Sequence, residues 1–181
     1  MIYFNLKTFK RILISKFSGF SLLFLLSLNP PILAAPKEIN FKDWNYILLG
    51  SQEKPSKEST LKIPASTKVI LIDFWASWCE PCKESFPFYL KLKETYKEKL
   101  LMVAVSEDDE KSPAEAFLKE HKTQSYFDAQ KKLVSLLDIQ AVPTLFIVLP
   151  NGQIQKVVRG WGDSKKEDIK KTIEQLISSS K

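Results

Sequence analysis

Val69-Ile70-Leu71-Ile72-Asp73-Phe74-Trp75-Ala76-Ser77-Trp78-Cys79-Glu80-Pro81-Cys82-Lys83 is the stretch that decides how the chain is read. Its first seven residues are aliphatic and aromatic apart from one acid, the composition of a central strand buried on both faces. Asp73 is conspicuous there, because a carboxyl set in an apolar strand loses its hydration and has its pKa pushed up. After Cys79, Pro81 is tolerated only in the first turn of a helix. From Lys83 to Tyr96, Phe86, Leu90 and Leu92 then form an apolar stripe opposite charged residues. The two cysteines, the only ones in the sequence, therefore fall where strand becomes helix. Unpaired N–H groups and the positive dipole end at that place favour a Cys79 thiolate, the nucleophile that disulfide exchange requires. A spacing of three lets the pair close a disulfide within one turn, so one sulfur attacks a substrate and the other resolves the mixed disulfide. Cys79, nearer the open end, is the expected nucleophile and Cys82 the resolving thiol. Asp73, on the strand beneath, is placed to take a proton from Cys82 directly or through water.

Length and charge bound the remainder. The 181 residues, 44% of them hydrophobic, give one domain of ordinary size with a real core. The net charge of +6 is unevenly spread. Lys7, Lys10, Arg11 and Lys16 lie in residues 1–35 without any acid, which leaves 23 basic against 21 acidic residues beyond them. That balance argues against a nucleic-acid groove. Residues 1–35 combine this basic start with an apolar run from Phe17 to Leu28, a break at Asn29-Pro30-Pro31 and Ala34-Ala35, the pattern of a secretory signal. Cleavage is expected after Ala35 or Ala34, with residues 36–181 as the exported domain. An uncleaved leader would remain as an N-terminal anchor, although its apolar run is short for a full span. Export places the cysteines outside the cytosol, where a disulfide persists unless electrons are supplied.

Outward from the central stretch, Pro36 to Ser66 opens with Phe41, Trp44, Tyr46 and Ile47-Leu48-Leu49 and then turns polar. This predicts an N-terminal strand or hairpin followed by an exposed loop, with Trp44 plugging one end of the core. Leu100 to Ser106 is a second buried strand, parallel to the first because a helix intervenes. Glu107 to Lys111 reads as an acidic loop. Ser112, Pro113 and Glu115 then predict the cap, first position and first turn of a helix through Glu120. Ser125-Tyr126-Phe127-Asp128 reads as a short strand and Lys131 to Leu137 as a short helix. After Ala141-Val142-Pro143-Thr144 come Leu145 to Leu149, an Asn151-Gly152 turn and Ile154 to Arg159, a hairpin. Gly160-Trp161-Gly162 closes it, with Trp161 assigned to the core. Asp163 is expected to cap a C-terminal helix through Ile177 that turns Ile169, Ile173, Leu176 and Ile177 inward.

Other chemistries fit less well. A tetrahedral zinc site needs two further ligands beyond the cysteine pair, and His121, expected to be solvated at a helix end, is the only histidine. A binding module that uses Cys79 and Cys82 to hold copper(I) or to dock a partner is an alternative of another class, but no methionine or histidine cluster accompanies the pair. Glu80 beside Cys79 disfavours the thiolate and so stabilises the reduced pair less than in a strong oxidant, which points to a reductant. The same site run as a disulfide-forming oxidant is the remaining alternative. Trp75 and Trp78 read as packing groups, with Trp78 also offering an apolar platform beside Cys79.

Asp73 to Lys83, DFWASWCEPCK, resembles the active site of the thioredoxin superfamily, and the order of elements over residues 40–178 is similar to its TlpA/ResA-like extracytoplasmic branch. The resemblance implies an α/β thioredoxin fold: a central mixed β-sheet flanked by helices, with an N-terminal β extension and an inserted helix and strand near Ser112 to Phe127. It implies a cis Val142–Pro143 bond, Pro143 beside Cys79, and Val142, Pro143 and Thr144 as the loop that docks an extended substrate. Glu80-Pro81 is a dipeptide familiar from that branch, and with Trp78 would tune the pair. The branch carries a Glu three residues after the second cysteine, and here Ser85 takes that place with Glu84 adjacent. The implied activity is a thiol-disulfide oxidoreductase that reduces protein disulfides, for example at the haem-site cysteines of apocytochrome c. Its redox group is the Cys79–Cys82 pair, without organic cofactor or metal. Its implied partners are substrate proteins with disulfides or thiols and a membrane thiol-reductase of the DsbD/CcdA type that supplies electrons. No nucleic acid is expected, and the chain is expected to be a monomer.

Overall fold

The computed structural model describes residues 37–50 and 59–179. The signal-like leader at 1–35 and most of the polar loop after Gly50 lie outside the described residues. In chain order the elements are β1 (Asn45–Leu49), β2 (Ser59–Thr60), β3 (Val69–Trp75), α1 (Glu80–Tyr96), β4 (Leu100–Ser106), α2 (Lys111–Glu120), β5 (Ser125–Phe127), α3 (Lys132–Leu136), β6 (Thr144–Val148), β7 (Ile154–Arg159) and α4 (Asp163–Ser179). The strands form one mixed sheet in the order β2-β1-β5-β4-β3-β6-β7.

β3 is buried along its whole length because it has a strand on each side and packing on both faces. β4 runs parallel to it, in register from Val69 opposite Leu100 to Trp75 opposite Ser106. β6 runs antiparallel on its other side and continues into β7. Ile70, Ile72 and Phe74 point to one face, where they pack with Val103, Val105, Phe146 and Trp44, the last 2% exposed. Val69, Leu71 and Trp75 point to the other, against residues of α1, α2 and α4. The two-residue period puts Asp73 on this second face, between Leu71 and Trp75 and beneath α1. At the sheet's other side, β5 pairs parallel with the end of β4 and antiparallel with β1, and β1 pairs antiparallel with β2. The central mixed sheet, the N-terminal β extension and the inserted α2–β5 unit thus stand as the thioredoxin reading requires.

Several boundaries and burials differ from the sequence reading. α1 begins at Glu80, with Cys79 at the capping position and Pro81 in the first turn as the sequence reading has it. Its inward face carries Cys82, Ser85, Phe86, Tyr89 and Leu92, with Leu90 only partly buried and Pro87 tolerated inside the helix on its exposed side. α2 starts at Lys111, with Glu110 at the cap making no side-chain bond, so Ser112 lies inside the first turn. The chain turns early there because Asp108 is tied to Ser77 and Ser106. In α4 the Gly162 carbonyl accepts from the Lys165 and Lys166 amides, so Asp163 is the first helical residue, paired with Lys166, and not the cap. His121 is half-buried, not fully solvated: its ring lies 4.4 Å from that of Phe117 and 5.7 Å from that of Phe86. Trp161 is half-buried at the rim of the core, edge-on to Phe88 and Tyr89, with its indole N–H donating to Glu84.

Candidate active site

The parallel β3–β4 pair forces α1 to start at the carboxyl end of β3, and that junction carries the cysteines. Cys79 sits at the N-cap of α1 in extended conformation, and its Sγ accepts a hydrogen bond from the Cys82 amide at 3.2 Å. A sulfur so placed meets the unsatisfied donors of the helix terminus, which stabilise negative charge on it. The two sulfurs are joined at 2.05 Å with Cα atoms 5.2 Å apart. Cys79 is 4% exposed and Cys82 fully buried, so an incoming sulfur meets Cys79 first. Trp78, 67% exposed, is an apolar surface beside it. Pro81 lies in the first turn, where no amide bond is lost. Glu80 departs from the tuning role expected of it. Its side chain projects into solvent and pairs with Lys83 at 2.7 Å, so solvent and a neighbouring cation both weaken its field at Cys79.

Beneath the helix, Asp73 is fully buried and neither carboxyl oxygen finds a hydrogen-bond partner among the described residues. Desolvation pushes its pKa from an ordinary 3.8 up to about 8. Two further buried side chains on α1 share this space. Ser85, where the family branch carries Glu, is fully buried and donates to the Cys82 carbonyl at 3.3 Å. The Tyr89 hydroxyl is pushed to a higher pKa by desolvation and by the Asp73 charge, against the lowering effect of a Ser85 hydrogen bond. The sequence reading marked Ser85 only as the place where the branch carries Glu, and nothing in the pattern of α1 distinguished Tyr89 from an ordinary helix residue. The helical spacing of three and seven from Cys82 was the available signal.

The loop before Cys79 is held from β4. Asp108 accepts from the Ser77 amide with both oxygens, at 3.2 and 3.1 Å, and from the Ser77 and Ser106 hydroxyls. Glu107 is buried beside it, its amide bonded to the Trp75 carbonyl. Desolvation first, then the nearby Asp128 charge, push the Glu107 carboxyl up to about 8, against the opposing pull of Lys131 at 3.7 Å. The sequence read this segment as an acidic loop, and the end of β4 folds its first two residues inward. On the other side, the Val142–Pro143 bond is cis. The Pro143 carbonyl accepts from the Gly160 amide at 2.7 Å, and the Thr144 hydroxyl donates to the Ala141 carbonyl at 2.7 Å. Val142 packs against the cluster that holds Cys79 and Cys82, and its own amide and carbonyl are unpaired among the described residues. No three His, Cys, Asp or Glu side chains among the described residues gather as a metal-ligand set.

A disulfide at the junction of a central strand and its crossover helix, facing a cis-proline turn, defines the thioredoxin class of proteins. Comparison with known sequences narrows the class. A thioredoxin-like family profile matches residues 67–154. The thiol-disulfide oxidoreductase ResA of Oceanobacillus iheyensis is 31% identical over 135 residues, covering 67% of this chain and 70% of that protein. ResA of Bacillus subtilis is 29% identical over 119 residues, 64% of each chain, so the match spans just under two thirds of that relative's length. The crystal structure of StoA from Bacillus subtilis superimposes with a TM-score of 0.52 at 24% identity, covering 63% of this chain and 88% of that one, a likeness of fold. The chain belongs to the thioredoxin-like family, alongside the ResA-type thiol-disulfide oxidoreductases.

Proposed function

We propose that this chain is an exported thiol-disulfide oxidoreductase that reduces disulfides in partner proteins. The observation that carries the reading is the Cys79–Cys82 disulfide with its more accessible sulfur at the N-cap of α1. In the reduced pair the Cys79 thiolate attacks one sulfur of a substrate disulfide. That S–S bond breaks, a mixed disulfide forms, and the first substrate thiolate leaves and takes up a proton. Cys82 gives its proton to the ionised Asp73 carboxylate and attacks the Cys79 sulfur. The mixed disulfide breaks, the second substrate thiolate leaves, and two electrons have passed from the pair to the substrate. A carboxyl with a pKa of about 8 suits a group that takes this proton and returns it on re-reduction. The unpaired main chain of Val142, held in place by the Pro143–Gly160 bond, docks the extended stretch around the substrate cysteine.

The cycle needs no organic cofactor, only a dithiol donor, and a membrane thiol-reductase of the DsbD/CcdA type fits an exported chain. Apocytochrome c haem-site cysteines and other extracytoplasmic disulfides are the substrates proposed. The direction rests on the potential of the pair, because the exposed Glu80–Lys83 ion pair weakens the argument drawn from Glu80 alone. Equilibration against glutathione or dithiothreitol buffers should give a value near or below about −270 mV; a value approaching about −120 mV would make the chain a disulfide installer. Cys79→Ser should abolish disulfide-reductase turnover, and Cys82→Ser should trap the mixed disulfide. Full turnover by Cys79→Ser would sink the mechanism.

A further inference from the structure

β4 has two edges, and only one is fully used. β3 covers it from Leu100 to Ser106, whereas β5 pairs only with Val105 and Ser106. The Glu107 amide bonds the Trp75 carbonyl, and the Ser106 carbonyl accepts from the Asp128 amide. Alternation along a parallel strand then turns the main-chain N–H and C=O groups of Leu101 and Val103 toward β3. The groups of Met102 and the amide of Ala104 face the opposite edge, where no strand pairs with them among the described residues, while the Ala104 carbonyl takes the Tyr126 amide, as the Val105–Tyr126 register requires. A groove of about 1160 Å³ opens there instead, between β4 and the segment from Lys122 to Tyr126. Half-buried Leu61, Leu101 and Met102 supply apolar surface in it. Lys62, Lys93, Lys119 and Lys122 line it against a single acid, Glu115. All four lysines are exposed, and none is in an ion pair among the described residues. Since acids and bases nearly balance beyond residue 35, this excess of positive charge is local.

We propose that the groove docks an extended acidic segment of a partner polypeptide. The unpaired edge selects an extended main chain, which adds as a strand to Met102 and the Ala104 amide, and the lysines select carboxylates at its alternate positions. A flat lipid surface reaches the lysines but not the recessed strand edge. Because Trp75 lies opposite Ser106, the cysteine pair is at the far end of β4 from Leu101 and Met102. A partner held here is tethered near Cys79 without covering it, which raises its effective concentration at the sulfur. The proposal stands whether the pair works as a reductant or an oxidant.

The test uses the isotope-labelled chain and a capped seven-residue peptide alternating glutamate and valine. Amide resonances of Met102, Ala104, Lys119 and Lys122 should shift, and the Met102 and Ala104 amides should become protected from hydrogen exchange. Binding should weaken with salt and by about tenfold in the Lys119→Glu, Lys122→Glu double variant, and by less in the corresponding Gln pair. Reduction of a small disulfide by these variants should be unchanged. The proposal is overturned by shifts confined to the surroundings of Cys79, by equal binding of a glutamine–valine control peptide, by no binding, or by phosphatidylglycerol vesicles perturbing these amides where the peptide does not.

Discussion

The Asp73 carboxyl lies under α1 with both oxygens unpartnered, and a buried polar group left in that condition costs about 1–3 kcal/mol. An asparagine would fit the same space without a charge to desolvate, so packing alone does not call for an acid there, whereas the proposed proton transfer does. Asp73→Asn removes the acceptor for the Cys82 proton and leaves Cys79 and its helix terminus untouched. Rapid-mixing measurements should therefore show the mixed disulfide forming at the wild-type rate but resolving about 10²-fold or more slowly, the usual scale of positioned general-base catalysis. The wild-type resolution rate should rise through an inflection near pH 8, and that inflection should be absent from the variant. An unchanged rate and profile would reduce Asp73 to a structural acid. Tyr89, whose hydroxyl feels the Asp73 charge, offers a second check. Tyr89→Phe removes that hydroxyl without a cavity, and the inflection should move while Cys79 attack does not.

At the scale of elements, what was legible in the sequence is what is local to it. The VILIDFW run and the cysteines that follow place β3 and the start of α1 because burial, capping and Pro81 all act within one short stretch. The Asn151-Gly152 hairpin is legible for the same reason. Asp108 was not, because its role exists only after β4 has docked in register beside β3 and brought Ser106 level with Trp75. From there it binds Ser77, thirty-one positions away, and fixes the loop that carries Trp78 and Cys79. His121 was misread likewise, since the aromatic wall formed with Phe86 comes from another helix. The clamp yields a prediction at this scale. Asp108→Ala strands the half-buried Ser77 and buried Ser106 donors and should lower stability by about 1–3 kcal/mol in denaturant titration. It should also shift the potential of the Cys79–Cys82 pair, since the cap geometry of α1 depends on that loop. Asp108→Asn, which keeps acceptors for part of the set, should recover some of both. A stability loss with an unmoved potential would confine Asp108 to holding the fold.

For the whole molecule the buried carboxyls set an unusual dependence on pH. Asp73 and Glu107 hold their protons to about pH 8 in the fold, against ordinary values of 3.8 and 4.5. Between about pH 4 and pH 8 the folded chain thus binds more protons than the unfolded one, so its stability falls as pH rises. The contribution is fully present below about pH 4 and gone above about pH 8. Asp163 runs the other way, its pKa lowered by Lys166, but it is exposed and solvent screens the pair. Thermal unfolding of the oxidised chain should therefore give a midpoint that declines across this window, each kcal/mol of stability lost lowering it by about 2–4 °C for a domain of this size. Asp73→Asn and Glu107→Gln should each flatten part of the decline, and the double variant should exceed the wild type most at the alkaline end. The window in which the fold loses stability is also the one in which Asp73 becomes able to accept the Cys82 proton. Proton transfer and fold stability then draw on the same buried charge, and a wild-type midpoint that stayed level or rose from pH 4 to pH 8 would separate the two.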